Sequence, residues 1–170
     1  MNELLEFLRN NGIAYTLYEH PAVFTCQEAA LHLRAIPGGP TKNLFLRDKN
    51  GKRHFIVSVP DEKQVDIKAL ESVLGASKLS FGSPERLLKF LGVQPGSVTL
   101  LGLINDKERG VEVYIDQSLW AHERIQCHPL VNTATITITP KDMERFFECT
   151  GHTFRLIEVP SKEPASATQQ

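Results

Sequence analysis

The stretch from Thr41 to Val59 commits this chain to a β-sheet. Thr41-Lys42-Asn43-Leu44-Phe45-Leu46-Arg47 reads as a strand with a short apolar run. Asp48-Lys49-Asn50-Gly51 supplies turn chemistry, and Arg53-His54-Phe55-Ile56-Val57-Ser58-Val59 returns as a second strand. A lysine and an amide enter this hairpin just after the loop Ile36-Pro37-Gly38-Gly39-Pro40. Two readings of Lys42 stand side by side. Its stem can lie along the strand with the ammonium in water, or loop and strand can fix that ammonium at the rim of a pocket.

The remaining elements interleave with this hairpin. Leu4, Leu5, Phe7 and Leu8 lie at helical spacing, and Gly12 follows as a stop. Ile13 to Tyr18 reads as a strand ended by His20-Pro21. Thr25-Cys26-Gln27-Glu28 fits a capping box for a helix through Ala29, Ala30 and Leu31. Asp66 caps a helix from Ile67 that Gly75 stops. Ser83-Pro84-Glu85 starts another that Gly92 ends. Val98 to Ile104 reads as extended and apolar, joined through the hairpin loop Asn105 to Gly110 to the alternating strand Val111 to Ile115. Arg124 to Cys127 and Thr133 to Ile138 read as strands, the second rich in β-branched residues. Thr139-Pro140 opens a last helix to Gly151, and Phe154 to Val159 is a last strand. Hairpins dominate, so the expectation is an α+β fold: a single domain over 1–160, with a mixed sheet and surrounding helices. Residues 161–170 are polar and expected to be a disordered tail.

At 170 residues, one domain can bury a real core. The net charge of −1 argues against a broad basic surface that coats nucleic acid. A small patch that touches a nucleic-acid end is still compatible with it. The 3 cysteines, Cys26, Cys127 and Cys149, are no disulfide framework. With no signal peptide and no membrane-length apolar run, the cytoplasm is the expected compartment. Neither a membrane nor DNA is an expected partner, and no cofactor is expected. His122, Cys127 and His128 would need further ligands to hold a metal, so no metal site is assigned.

Polar groups beside strand ends mark where chemistry can sit. They are Thr41-Lys42-Asn43, Gly96-Ser97-Val98-Thr99, and Cys127-His128-Pro129 onward to Thr133. Glu19-His20-Pro21 onward to Phe24 and Thr25 adds a fourth. A cationic Lys42 can hold a phosphate or carboxylate. A glycine-led loop can offer N–H groups to a developing oxyanion, and His128 can donate a hydrogen bond or position a carbonyl. No serine sits in a GxSxG elbow. Cys127 and His128 are adjacent on an extended segment and point to opposite faces, so they do not make a nucleophile–base pair.

In order, the segments EHPAVFT, TKNLFLRDKNG, LGVQPGSVT, GLINDKERGVEVYID and HPLVNTATI resemble the free-standing YbaK/ProX-type editing domains related to the insertion domain of bacterial prolyl-tRNA synthetase. The resemblance spans about residues 2 to 158. It implies an α+β fold with a mixed, barrel-like sheet, and hydrolysis of the ester of a mischarged aminoacyl-tRNA. The subgroup it is most similar to acts on Ala-tRNA(Pro). Sister specificities for Cys-, Ser- or Thr-charged tRNA, or a non-catalytic tRNA- or nucleotide-binding module, are the alternatives. The family's lysine matches Lys42 with Asn43 beside it, the glycine of its GxxxP loop matches Gly96, and its histidine matches His128. These are the implied catalytic residues, with Phe24, Thr25, Asn43, Ser97, Val98, Thr99 and Leu100 as substrate-binding residues. The implied partners are the acceptor end of an aminoacyl-tRNA, that of tRNA(Pro) above all, and transiently prolyl-tRNA synthetase or an elongation factor. The lysine would hold the terminal adenosine or phosphate, loop amides the carbonyl, and the tRNA's own 2′-hydroxyl would help activate water. One departure stands out: Leu100 replaces the family's proline, which is expected to loosen the loop.

Overall fold

The computed structural model describes residues 1–22, 27 and 35–162. The hairpin forms as its sequence requires. Strands β2 (Thr41–Arg47) and β3 (His54–Pro60) pair antiparallel from Thr41 opposite Pro60 to Arg47 opposite His54. The Asp48 carboxylate closes the turn by accepting the N–H groups of Lys52 and Arg53 at 2.9 and 3.1 Å. Those bonds outweigh desolvation and hold its pKa below the ordinary carboxylate value.

The helices start and stop where their caps dictate. Helix α1 is Asn2–Asn10, and β1 (Thr16–Glu19) follows it. Asp66 accepts from the Ala69 N–H at the head of α2 (Ile67–Leu74). A short strand, β4 (Ser80–Phe81), then pairs with β2. Ser83 accepts from the Arg86 N–H at the head of α3 (Pro84–Leu91). Thr139 caps α5 (Pro140–Thr150). Between them lie β5 (Val111–Asp116), the short helix α4 (Gln117–Trp120), β6 (Ile125–Cys127) and β7 (Ala134–Ile138). Strand β8 (Phe154–Ile157) follows α5.

The described strands form two sheets. One is five-stranded, in the order β4-β2-β3-β5-β8, and mixed. The other is three-stranded, in the order β1-β7-β6, and antiparallel. Strand β5 runs parallel to both β3 and β8. The α+β architecture and mixed sheet are as expected, but the strand Val98–Ile104 and its hairpin onto β5 are not formed. Leu100–Asn105 is instead a 3-10 helix, capped by the Thr99 hydroxyl, which accepts from the Leu101 N–H at 3.2 Å. The apolar run is buried on all sides, and such a run has no period to tell strand from helix. The proposed capping box at Thr25 and the helix beyond it lie largely outside the described residues, as do residues 163–170 of the polar tail.

Two cores follow from strand alternation. The larger lies between the sheets. It joins Phe45, Ile56, Val113 and Ile115 from one sheet to Ile125, Cys127, Ile136 and Ile138 from the other, closed by Leu4, Leu8, Phe146 and Phe147. The smaller lies on the opposite face of the five-stranded sheet, where Leu46, Phe55, Val57, Val59 and Tyr114 meet Leu70 and Leu74 of α2. The large core therefore faces inward, and the face under α2 outward.

Candidate active site

One glycine joins the two sheets. The Gly39 N–H donates to the Arg124 carbonyl at 2.8 Å, and the Gln126 N–H donates to the Gly39 carbonyl at 3.0 Å. This makes a parallel bridge between Gly39 and Ile125. The Gln126 side-chain amide adds a bond to the Ile36 carbonyl at 3.0 Å. A Cβ at Gly39 would stand 2.8 Å from the His122 ring, so only glycine fits without displacing that ring. The loop Ile36 to Pro40 thus delivers β2 alongside β6. Lys42 and His128 each follow this bridge by three residues.

Lys42 is half-buried and shares its strand face with Leu44 and Leu46, the outward face. Its ammonium donates to the Lys63 carbonyl at 2.5 Å. Among the described residues no carboxylate pairs with it. Asn43 points to the inward face. Its Nδ2 donates to the Val98 carbonyl at 3.2 Å, and its Oδ1 accepts from the hydroxyl of Ser58, directly opposite on β3. Neighbours in sequence, Lys42 and Asn43 therefore work on different faces of the sheet. Asn43 holds the glycine loop, and Lys42 is left on the outward face.

The loop itself turns at Gly96, whose φ of +92° suits glycine and whose surroundings are open. The Ser97 N–H donates to the Gln94 carbonyl at 3.0 Å, and Ser97 is buried. Val98 is half-buried. Thr99 is fully buried, its hydroxyl spent on the cap. Leu100 opens the 3-10 helix and is also fully buried, within the large core. The expected loosening at Leu100 is not what this arrangement produces, because core packing and the Thr99 cap anchor the loop's end.

His128 follows β6, with Gln126 on the face opposite Ile125 and Cys127. Its Nδ1 is buried and has no hydrogen-bond partner among the described residues. Burial holds the imidazole below its ordinary pKa against the opposing pull of a backbone hydrogen bond at Ala134, and the charge on His20 adds a smaller push in the same direction as burial. His20 itself meets the Pro21 carbonyl through Nδ1 at 2.8 Å and the Thr135 hydroxyl through Nε2 at 2.9 Å. A carbonyl can only accept, so Nδ1 carries the proton, and in the neutral ring Nε2 accepts from Thr135. Phe24 and Thr25 lie outside the described residues. Cys127, its thiol pushed up to about 12 by burial, faces the core. His122 packs on Gly39. The potential ligands His122, Cys127 and His128 are thus split between faces.

Sequence reasoning missed Ser58, Lys63 and Asp116. All three act through partners far along the chain, and none carries a local motif. A depression of about 300 Å³ lined by Phe7, Leu103, Asp106, Lys107, Arg109 and Thr150 includes none of the expected site residues. The chemistry is better placed at the seam, where a cation and an imidazole nitrogen unpaired among the described residues each lie three residues beyond the bridge.

Residues 20–146 match the aminoacyl-tRNA editing domain. The chain belongs to the aminoacyl-tRNA editing family. As a member it is an enzyme of the aminoacyl-tRNA deacylase class. It is 37% identical over 147 residues to the prolyl-tRNA editing protein ProX of Acetoanaerobium sticklandii, covering 86% of this chain and 90% of that one. It is 43% identical over 153 residues to the prolyl-tRNA synthetase associated domain-containing protein 1 of Danio rerio, covering 89% and 83%. A solved structure described as a candidate trans-editing enzyme for prolyl-tRNA synthetase shares the fold of this editing domain. The TM-score is 0.68 at 20% identity, over 94% of this chain and 96% of that one. No described helix of the editing domain is long and apolar enough to cross a membrane.

Proposed function

We propose that this deacylase acts in trans on mischarged tRNA(Pro), with Ala-tRNA(Pro) as its main substrate. The observation that carries the reading is the seam at the Gly39–Ile125 bridge, since Lys42, free of any described carboxylate, and His128, whose Nδ1 has no partner among the described residues, each follow that bridge by three residues. A relative named as a prolyl-tRNA editing protein supports the choice of tRNA.

In this reading Lys42 holds the terminal phosphate or adenosine through N–H donors that the Lys63 carbonyl leaves free. N–H groups of the Gly96 loop face the carbonyl of the ester as it gains negative charge. Asn43 keeps that loop in place. His128, kept neutral by burial, offers Nδ1 as an acceptor for a hydroxyl. The tRNA's 2′-hydroxyl assists the attacking water, so no metal is required. A small side chain enters the pocket, and the cognate proline ring is excluded by overpacking. Lost contact from one methylene would give only about 10- to 200-fold discrimination. Prolyl-tRNA synthetase or an elongation factor would be met transiently. Deacylation of a panel of Ala-, Cys-, Ser-, Thr- and Pro-charged tRNAs tests this. Ala-tRNA(Pro) should be hydrolysed fastest and Pro-tRNA(Pro) poorly. Equal rates on both would defeat size exclusion, and a faster rate on Cys-, Ser- or Thr-tRNA would move the enzyme to a sister specificity.

A further inference from the structure

We infer that Lys63 is a positioning residue that keeps Lys42 available to an anionic substrate by occupying Asp116. The inference deepens the reading above and rests on it. Lys42 lies opposite Val59 on β3, and the β3–β5 pairing, with Ser58 opposite Ile115, puts Asp116 next to Val59 on the other side. Lys42, Val59 and Asp116 thus form one row across three strands, all on the outward face. Two strand spacings separate Lys42 from Asp116 in this row, roughly 10 Å between backbones. Lys63 spans that gap above Val59. Its carbonyl takes the Lys42 ammonium at 2.5 Å, and its own ammonium takes the Asp116 carboxylate at 2.5 Å.

The burial of the pair makes this consequential. The Asp116 side chain is 2% exposed and that of Lys63 19%. A carboxylate so enclosed needs a cation. If Lys63 did not supply it, the next ammonium in the row is that of Lys42. A four-carbon stem can lean across Val59 toward Asp116, and in doing so would leave the seam. Lys63 prevents this twice over, by neutralising Asp116 and by giving Lys42 an uncharged carbonyl to rest on. A neutral acceptor fixes the position of Lys42 without cancelling its charge.

The test compares Lys63→Met, Asp116→Asn, the double variant and Lys42→Ala. Rates are taken on whichever mischarged tRNA the wild type hydrolyses, well below the melting temperature of every variant. Asn keeps the cap that Asp116 gives to the Ser118 N–H. Lys63→Met should lower kcat/KM about tenfold, and adding Asp116→Asn should restore it to within about threefold of wild type, because the captor is gone. Spectra of 13C-labelled lysine, taken without substrate, should show the Lys42 signal shifted in Lys63→Met and returned in the double variant. A purely structural ion pair would let the second substitution rescue melting temperature while the rate per folded molecule never changed, and that result overturns the inference. So would a double variant as slow as Lys63→Met, which would make Lys63 itself a substrate contact. If Lys42→Ala keeps the wild-type rate, the reading of Lys42 fails, and the inference with it. A dead Lys42→Ala beside a fully active Lys63→Met sinks the inference alone.

Discussion

Strand β5 has a buried carboxylate at each end, and the two are embedded in opposite ways. Asp106, in the turn before the strand, accepts from the N–H groups of Gly110 and Val111 and from His152 Nε2, all at 2.9–3.0 Å. His152 Nδ1 meets the Thr150 hydroxyl at 2.8 Å. Burial alone would raise the pKa of Asp106, but these bonds outweigh it and the carboxyl titrates below its ordinary value. Every ring nitrogen and carboxylate in that cluster has a partner, so it closes on itself and ties the end of α5 to the head of β5. Asp116, at the other end, is one step in a chain that runs out through Lys63 to Lys42, and that chain ends on N–H donors without a described anionic partner. A saturated buried network fixes a fold. One that ends on spare donors can hold something else.

The largest effect expected from this contrast is on stability. Asp106→Ala leaves His152 and two main-chain N–H groups without an acceptor. It should lower the unfolding free energy by about 2–4 kcal/mol in denaturant titrations. Deacylation per folded molecule should stay within about twofold of wild type, since the cluster is self-contained. A large loss of activity at unchanged stability would erase the distinction between the two carboxylates. Next comes Lys42→Ala, with the reverse signature. Deacylation should fall at least about tenfold, as losing a charge-assisted contact of about 1.5–3 kcal/mol implies, with melting nearly unchanged.

A smaller effect concerns pH. His128 titrates below the ordinary histidine value because desolvation, helped by a smaller push from His20, outweighs a backbone hydrogen bond at Ala134. As pH falls, the unfolded chain binds that proton before the folded one does. Stability from this group is therefore complete above the ordinary histidine range and is lost as pH drops through it. His54, buried and set against Arg86 at 2.8 Å, adds a loss of the same sign. His128→Asn should flatten the acid side of the stability curve, and a curve identical to wild type would show that His128 is not held neutral. The smallest effect belongs to Leu100→Pro. Proline suits the first position of a helix, but the lost side-chain volume is in the core. A stability cost of about 1–2 kcal/mol is expected, with less than about threefold change in the ratio of Ala to Pro deacylation. A sharper ratio would restore Leu100 to the account of selectivity.

What could be read from the residues was what is decided locally. Asp66, Ser83 and Thr139 announce their helices because a cap bonds within three residues of itself, and Asp48 and Gly51 announce the hairpin for the same reason. The partner of β5 was not legible. Nothing in Val111–Asp116 distinguishes a hairpin neighbour from the parallel strands β3 and β8, which are brought in from distant parts of the chain. The segment after Thr99 misled because Leu100, Leu101 and Leu103 are buried whichever way the backbone turns. The site was legible as residue types beside strand ends. Its division was not: strand alternation sends Lys42 and Asn43 apart, and only the pairing of β2 with β3 and the Gly39 bridge show which face each serves.

The Gly39 bridge also makes chain length a functional quantity. It pins one point on the loop to one point on β6, so the short run from Gly39 to Lys42 measures out where the ammonium emerges. Lengthening or shortening that run by a single residue would keep the bridge only by slipping β2 one residue against β3. It would also turn the neighbouring side chain outward and put the lysine on the core side of the sheet. At this seam, substitutions change how well the protein works, whereas a one-residue insertion or deletion would change which residue is presented at all.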